Sequence, residues 1–364
     1  MESEYTVGKI IPSYKDTFPA TSLQQGIAIN IGSINTDTTS WAKYYNFSEA
    51  GFMFLYSRFG NNKIFGHQFG VVPYITFPVF NQSKADYKLK LGLGVAYFTT
   101  SFDSTSNTAN QLIGAPFSWD FKLFLYRNMY SSDNFNLFLG AGLSHESNGH
   151  VRMPNMGINS ILLSLKGQFY TNNNPYHLPS RVKGRNHSPK KMFVFKREGI
   201  GLHEQSVSEG PRIGRIKPVY ASSIAIGYTY NNHLKLRTGF TYKFYEQYRT
   251  HVTENDVENL SSKPNLAASN LVFYVGNEFL MSHFSMDTEL GINLYKPFYY
   301  QFHPSNNPGP MLLKLFATRL GINAYLFNTN KLPPHNFFIG ANINANFAKA
   351  DFTELSIGYT YQFQ

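Results

Sequence analysis

The chain has 364 residues, no cysteine and a formal charge of +10, with 42% hydrophobic, 16% aromatic and 15% charged residues. Lacking cysteine, it has neither a disulfide framework nor a thiolate zinc site, and no apolar run approaches the roughly 20 residues of a transmembrane helix. A wall of half-greasy strands stays open, because segments of about 10 residues with one lipid-facing side give a modest average such as the mean hydropathy of −0.29.

Residues 1–23 begin Met1-Glu2-Ser3-Glu4. They are polar and acidic, lack the apolar core of a secretory signal, and read as an N-terminal extension of a mature or processed form. A strand is readable near 24–33. Period-two alternation then predicts strands over about 50–60, 66–80, 87–100, 110–128, 134–147 and 159–171. From Tyr87 onward, Leu89, Leu91, Leu93, Val95 and Tyr97 share one face against Lys88, Lys90, Gly92, Gly94 and Ala96. Residues 172–191, with Arg181, Lys183, Arg185, Lys190 and Lys191, read as a solvated basic loop. Strands resume over 192–203, 217–230, 233–247, 270–281, 284–298, 312–327, 336–347 and 351–363. The last carries Leu355, Ile357, Tyr359, Tyr361 and Phe363 in one phase.

These segments predict an all-β fold: a transmembrane antiparallel β-barrel of about 14 strands, within a range of 12–16, forming a single domain over 1–364. With the C-terminus periplasmic, the tight Asn231-Asn232 turn falls on the periplasmic side and the connection around 248–269 falls outside. The location this implies is the bacterial outer membrane. Rows of Gly, Asn, Ser and Thr opposite the apolar faces suit a packed, hydrated lumen.

Chemistry concentrates in Ser144-His145-Glu146-Ser147-Asn148-Gly149-His150 and the following Pro154-Asn155-Met156-Gly157-Ile158-Asn159. His145 and Ser147 continue the apolar phase of Leu137, Leu139, Ala141 and Leu143, while Asn159 shares the phase of Ile161, Leu163 and Leu165. Residues i and i+2 face the same side of a strand, so His145 can take the proton of Ser147. From the neighbouring strand Asn159 can hold the other imidazole N–H, completing nucleophile, base and orienting group. Donors for an oxyanion would come from the N–H groups around Asn148 and Gly149 and the amides of Asn148 and Asn155. Taken singly, a rim His or Asn is more often an interfacial hydrogen bonder; the shared phase of all three gives the functional reading its weight. His145 and His150 point apart on a strand and turn with no carboxylate cluster, so no metal and no other cofactor is expected.

The stretch from His145 to Asn159 resembles the outer-membrane lipid A 3-O-deacylases, the PagL family, and their larger relatives, the acyloxyacyl hydrolases, which carry His-x-Ser-Asn-Gly and then Pro-Asn-x-Gly-Ile-Asn at this spacing. The similarity runs from about residue 24 to 171. It implies that His145 is the base, Ser147 the nucleophile, and Asn148 and Asn155 the oxyanion region. The smaller deacylases have Glu where this chain has Asn159. Outer-membrane phospholipase A is also similar and has Asn there, but it places a calcium-associated Arg where this chain has His150.

The resemblance implies a serine esterase removing an acyl chain, 3-O-linked by analogy, from the lipid A of lipopolysaccharide. The alternatives are a phospholipase A and a non-enzymatic pore or lipid transporter with a vestigial site. The positive charge suits anionic partners or simply a solvated loop surface. Lipopolysaccharide and outer-membrane lipids are the expected partners, nucleic acid is not, and a homodimer is an assembly the sequence allows.

Overall fold

The computed structural model describes residues 1–13, 18–35, 41–45, 47–80, 87–170, 190–204, 216–302, 307–347 and 349–363. Every strand among them pairs antiparallel with its sequence neighbour, and the pairing closes twice. The first barrel consists of β1 (Glu2–Ile10), β2 (Gln24–Ile34), β3 (Glu49–Arg58), β4 (His67–Val79), β5 (Tyr87–Phe98), β6 (Phe117–Ser131), β7 (Phe135–Ser147) and β8 (Ile158–Phe169). It shuts where β1 meets β8, with Glu2 opposite Gln168 and Ile10 opposite Ser160. The second consists of β9 (Lys191–Glu204), β10 (Ile216–Tyr230), β11 (Leu234–Tyr245), β12 (Ser269–Met281), β13 (Phe284–Tyr295), β14 (Phe316–Tyr325), β15 (His335–Asn346) and β16 (Lys349–Gln362). There β16 returns to β9, with Gln362 opposite Phe193. Two compact units result, one of Met1–Asn148 and Met153–Arg185 and the other of Gly149–Arg152 and Asn186–Gln364.

The all-β transmembrane wall expected from alternation is present, and the sixteen strands among the described residues reach the top of the expected range. Its division is different. Alternation fixes which face of a strand is wet but carries no information on where a sheet closes on itself, so a run of similar strands reads as one wall over 1–364. Residues 1–23 are also not merely an extension, since Glu2–Ile10 forms the closing strand of the first barrel. Glu2 and Glu4 conceal it, because a strand whose inward residues are acidic looks like a polar tail. Residues 110–116 precede β6 instead of joining it, and residues 312–315 lie in a helix. The basic loop lies outside the described residues up to 189, beyond which Lys191 opens β9.

In the first barrel the outward residues are apolar, with Ile27, Ile29, Phe54, Val71, Leu163 and Leu165 exposed. Its lumen holds charges in mutual contact. Glu2 pairs with Lys166 at 2.9 Å and Lys90 at 3.4 Å, while Glu4 pairs with Lys90 at 3.3 Å. Tyr126 and Ser164 donate to Glu4 at 2.5 and 2.7 Å. Eight strands enclose a space about wide enough for side chains, and ions buried there persist only because each is paired and hydrogen bonded. At one end a greasy roof forms from Ile10, Phe59, Phe65, Phe98, Leu112 and Ile158; the short helix α1 (Asn62–Phe65) contributes Phe65. The tight connection between β6 and β7 lies at the other end.

The second barrel repeats the scheme with arginines. Arg237 pairs with Asp287 at 2.6 Å and Glu289 at 2.7 Å, Arg197 with Glu289 at 2.6 Å, and Arg319 with Asp287 at 2.7 Å. Its helices are α2 (Glu246–Glu254), α3 (Pro264–Ala267), α4 (Pro297–Phe302) and α5 (Pro308–Leu315). All four lie in connections at the end opposite the Asn231-Asn232 turn. There Tyr245, Tyr248 and Phe298 stack at centroid distances of 4.6 and 4.0 Å. Burial in this aromatic cluster disfavours the charged imidazole and lowers the pKa of His251.

Candidate active site

The end of β7 and the start of β8 bring three of the polar residues of the sequence motif onto one surface. The antiparallel register sets His145 directly opposite Asn159 and Ser144 opposite Ser160. On the other flank Phe121 faces His145 and Trp119 faces Ser147. Along β7 the outward residues Leu139, Ala141 and Leu143 are exposed, His145 is half-buried, and Ser147 is only 6% exposed. His145 and Ser147 therefore keep the lipid-facing phase, but toward the rim Asn155 and Gly157 lie against them. The intervening Glu146 points into the lumen, where Lys122 binds it at 2.7 Å and Asp120 at 2.9 Å. Gln68 donates to the same Asp120 carboxylate at 2.9 Å. This buried ion group ties the ends of β6 and β7 together from inside.

His145 Nδ1 lies 2.8 Å from Asn159 Oδ1. An amide oxygen can only accept, so Nδ1 carries the proton and Nε2 is left as a proton acceptor. Asn155 reaches back across the loop in two ways. Its Nδ2 donates to Ser147 Oγ at 2.8 Å, and its Oδ1 accepts from the Asn148 backbone N–H at 3.0 Å. One side-chain amide thus fixes the serine hydroxyl and the first residue of the turn. Because Ser147 Oγ accepts from Asn155, its own proton stays available to a base.

The loop is shaped for this arrangement. Gly149 turns the chain with φ +63° and groups with the second unit, so among the motif residues His145, Ser147, Asn148, Asn155 and Asn159 are the ones held together in the first. Gly157, with φ +72°, lies against the imidazole: a Cβ there would sit 2.9 Å from His145 Cε1 and 3.0 Å from Glu146 O. Only glycine meets both the backbone and the space requirement. Three backbone bonds support the return strand: Met156 N to Gln111 O at 3.2 Å, Gly157 N to Leu112 O at 3.0 Å, and Ile11 N to Asn159 O at 2.7 Å.

Sequence reasoning overlooked Gly157 and the 111–112 support. Gly157 was visible within Pro154-Asn155-Met156-Gly157, but its role depends on a three-dimensional approach to His145. The 111–112 segment offers no sequence signal. These are the kinds of group that acyl transfer uses: a hydroxyl that accepts from a side-chain amide and an imidazole hydrogen bonded through Nδ1 to an amide oxygen.

Comparison with known proteins gives a consistent division of the chain. Residues 31–167 match the family model described as lipid A 3-O-deacylase (PagL), and residues 194–363 match that of the acyloxyacyl hydrolase C-terminal domain. The first span runs from β2 into β8 and the second from β9 to the end of β16. Among solved structures, the outer-membrane enzyme PagL is 15% identical, with 46% of this chain and 98% of that chain covered and a TM-score of 0.33. CdiB from Acinetobacter baumannii is 9% identical over 100% of this chain and 60% of its own, with a TM-score of 0.18. A Rh. blastica porin mutant is 7% identical over 100% and 98%, with a TM-score of 0.17. These structural likenesses are loose. A search of curated proteins returned no match.

Proposed function

The chain belongs to the lipid A 3-O-deacylase (PagL) and acyloxyacyl hydrolase family of the bacterial outer membrane, and on that premise we propose that it hydrolyses an acyl ester of lipid A at Ser147. The observation that carries this reading is the pair of 2.8 Å bonds, His145 to Asn159 and Asn155 to Ser147, on the outward face of a barrel wall. His145 Nε2 takes the Ser147 proton as Oγ attacks the ester carbonyl. Asn155 Nδ2, which already donates to Ser147 Oγ, and the Asn148 side-chain amide stabilise the oxyanion. The carbon–oxygen bond to the sugar then breaks, and the imidazolium returns its proton to the departing alkoxide. Water, activated by the same imidazole, attacks the acyl-enzyme and releases a fatty acid.

Position favours lipopolysaccharide. The site lies at the end of the barrel opposite the tight β6–β7 connection, which is the outer-leaflet side if short turns are periplasmic. A substrate diffusing laterally would lay its acyl chains along Leu143, Ile161 and Leu163, all exposed, and would meet Ser147 with its ester at rim height. The 3-O ester is the bond we assign to it, by the family description of the matched span.

A second reading, a phospholipase acting on glycerophospholipids, draws on Asn159 as the orienting residue. The two separate when purified protein is offered lipopolysaccharide and glycerophospholipid in one mixed micelle, with and without a calcium chelator, and the products are weighed by mass spectrometry. Loss of one 3-hydroxyacyl chain from lipid A, unaffected by the chelator, supports the deacylase. Calcium-dependent lysophospholipid with intact lipid A overturns it in favour of the phospholipase. Conductance without hydrolysis of either lipid would support the pore or transporter reading.

A further inference from the structure

His150 takes no part in the chemistry proposed for Ser147, yet its backbone and its ring are both fastened. It follows Gly149 (φ +63°) and itself has φ +68°, so two left-handed residues in succession turn the chain sharply. A non-glycine residue is uncommon in that region and stays there where its surroundings impose it. Those surroundings belong to the second unit, which includes Gly149–Arg152.

The ends of β9 and β16 supply them. These two strands close the second barrel, and Leu202 with Thr353 is their last registered pair at this end. Beyond that pair His150 bridges them: its carbonyl accepts from Glu204 N at 3.3 Å, and its Nδ1 donates to Ala350 O at 3.0 Å. A carbonyl can only accept, so Nδ1 carries the proton. The imidazole lies flat on that of His203, with centroids 5.2 Å apart and planes 9° from parallel. His203 in turn meets Tyr245 and Tyr248 edge to face at 5.8 and 5.6 Å. His150 is 3% exposed and His203 is fully buried.

The link from this anchor to the active site is the chain itself. Only Asn148 and Gly149 separate His150 from Ser147, and residues 151–154 separate it from Asn155. A span so short transmits position, since each residue reaches at most about 3.6 Å. The loop is rooted at both ends in the first barrel and fastened at its middle in the second. A connection without such a fastening moves more than the strands it joins, and a donor displaced by about 1 Å loses much of its effect on a reacting group. We propose that the second barrel serves as the anchor of the catalytic loop, with His150 as a positioning residue that keeps the amides of Asn148 and Asn155 aimed at Ser147. The kinetic consequence rests on the esterase reading; the anchoring does not.

Full-length protein in detergent micelles is compared as wild type, His150→Ala, His203→Ala, His150→Asn and Leu280→Ala, each confirmed as folded by heat-modifiability. Asparagine places an N–H where Nδ1 stands and tolerates positive φ. Leu280 lies in a separate core cluster of the same barrel, with Phe193 and Tyr325. Hydrogen–deuterium exchange of peptides covering 148–157 reads the anchor without any need for activity. We expect exchange there to be about tenfold or more faster in His150→Ala and His203→Ala, closer to wild type in His150→Asn, and unchanged in Leu280→Ala. In lipid A deacylation, His203→Ala should lower kcat about 10- to 100-fold with KM within about twofold. Added to Asn155→Asp it should cost under about threefold, because both act through the same amide. Loop exchange at the wild-type rate in folded His150→Ala and His203→Ala, or raised equally by Leu280→Ala, would overturn the anchor. Raised exchange with unaltered kcat, or full additivity with Asn155→Asp, would overturn the positioning role. Wild-type protein that hydrolyses no lipid would overturn the esterase reading and leave exchange to decide the anchor.

Discussion

Removing the acceptor that orients His145 tests the site at its most specific point. In Asn159→Ala the 2.8 Å bond to Nδ1 is lost, and nothing then favours the tautomer that leaves Nε2 free. The bond also becomes charge-assisted once the imidazole takes the serine proton, so its loss weighs on the transition state more than on the ground state. Asn159 is half-buried, and water can replace part of the interaction. We therefore expect a cost of about 1 to 3 kcal/mol, which at 1.4 kcal/mol per decade is a fall in kcat of about 5- to 150-fold with little change in KM. The backbone bond from Ile11 N to Asn159 O does not depend on the side chain, so heat-modifiability should stay at the wild-type value. Asn159→Asp keeps an acceptor and adds a charge that favours the imidazolium, so it should retain more activity than Asn159→Ala. The assay is the initial rate of fatty-acid release from lipopolysaccharide micelles. Asn159→Ala within twofold of wild type, or a loss of folding stability that tracks the loss of rate, would refute the orienting role.

Three further outcomes follow from the same geometry. Asn155→Asp keeps the acceptor for Asn148 N but loses the donor to Ser147 Oγ, so kcat should fall about 10²- to 10³-fold while the thermal unfolding midpoint holds; a rate near wild type would remove Asn155 from the oxyanion region. Gly157→Ala must adopt φ +72° and push against His145 Cε1, which should cost about 1 to 2 kcal/mol locally and abolish most activity; full activity in the variant would show that the imidazole is not held by this contact. Lys122→Met strands the Asp120 and Glu146 carboxylates inside the lumen and should destabilise the first barrel by about 3 to 5 kcal/mol, measured by urea unfolding in detergent micelles.

The alternation of apolar and polar residues made the wall legible, and it also oriented the site, because His145, Ser147 and Asn159 share the outward phase. Closure was not legible. Whether β8 continues to β9 or returns to β1 depends on pairings such as Glu2 with Gln168, which a period of two does not encode. Lys88 and Lys90 could be read as inward, but the partners of Lys90, Glu2 and Glu4, lie far back in the sequence in a segment disguised by their own charge. At the site, residue types and spacing pointed to His145, Ser147 and Asn159. The double use of the Asn155 amide and the pressure of Gly157 on the imidazole arise from a loop path set by Gln111 and Leu112, and no local pattern announces it.

Covalent capture of the nucleophile tests the central claim most directly. Folded protein treated with a long-chain alkyl fluorophosphonate, digested and analysed by peptide mass spectrometry, should carry the label on Ser147, with labelling slowed in Asn159→Ala and competed by lipopolysaccharide. Label on another residue, or none on Ser147 in protein that deacylates lipid A, would contradict the account.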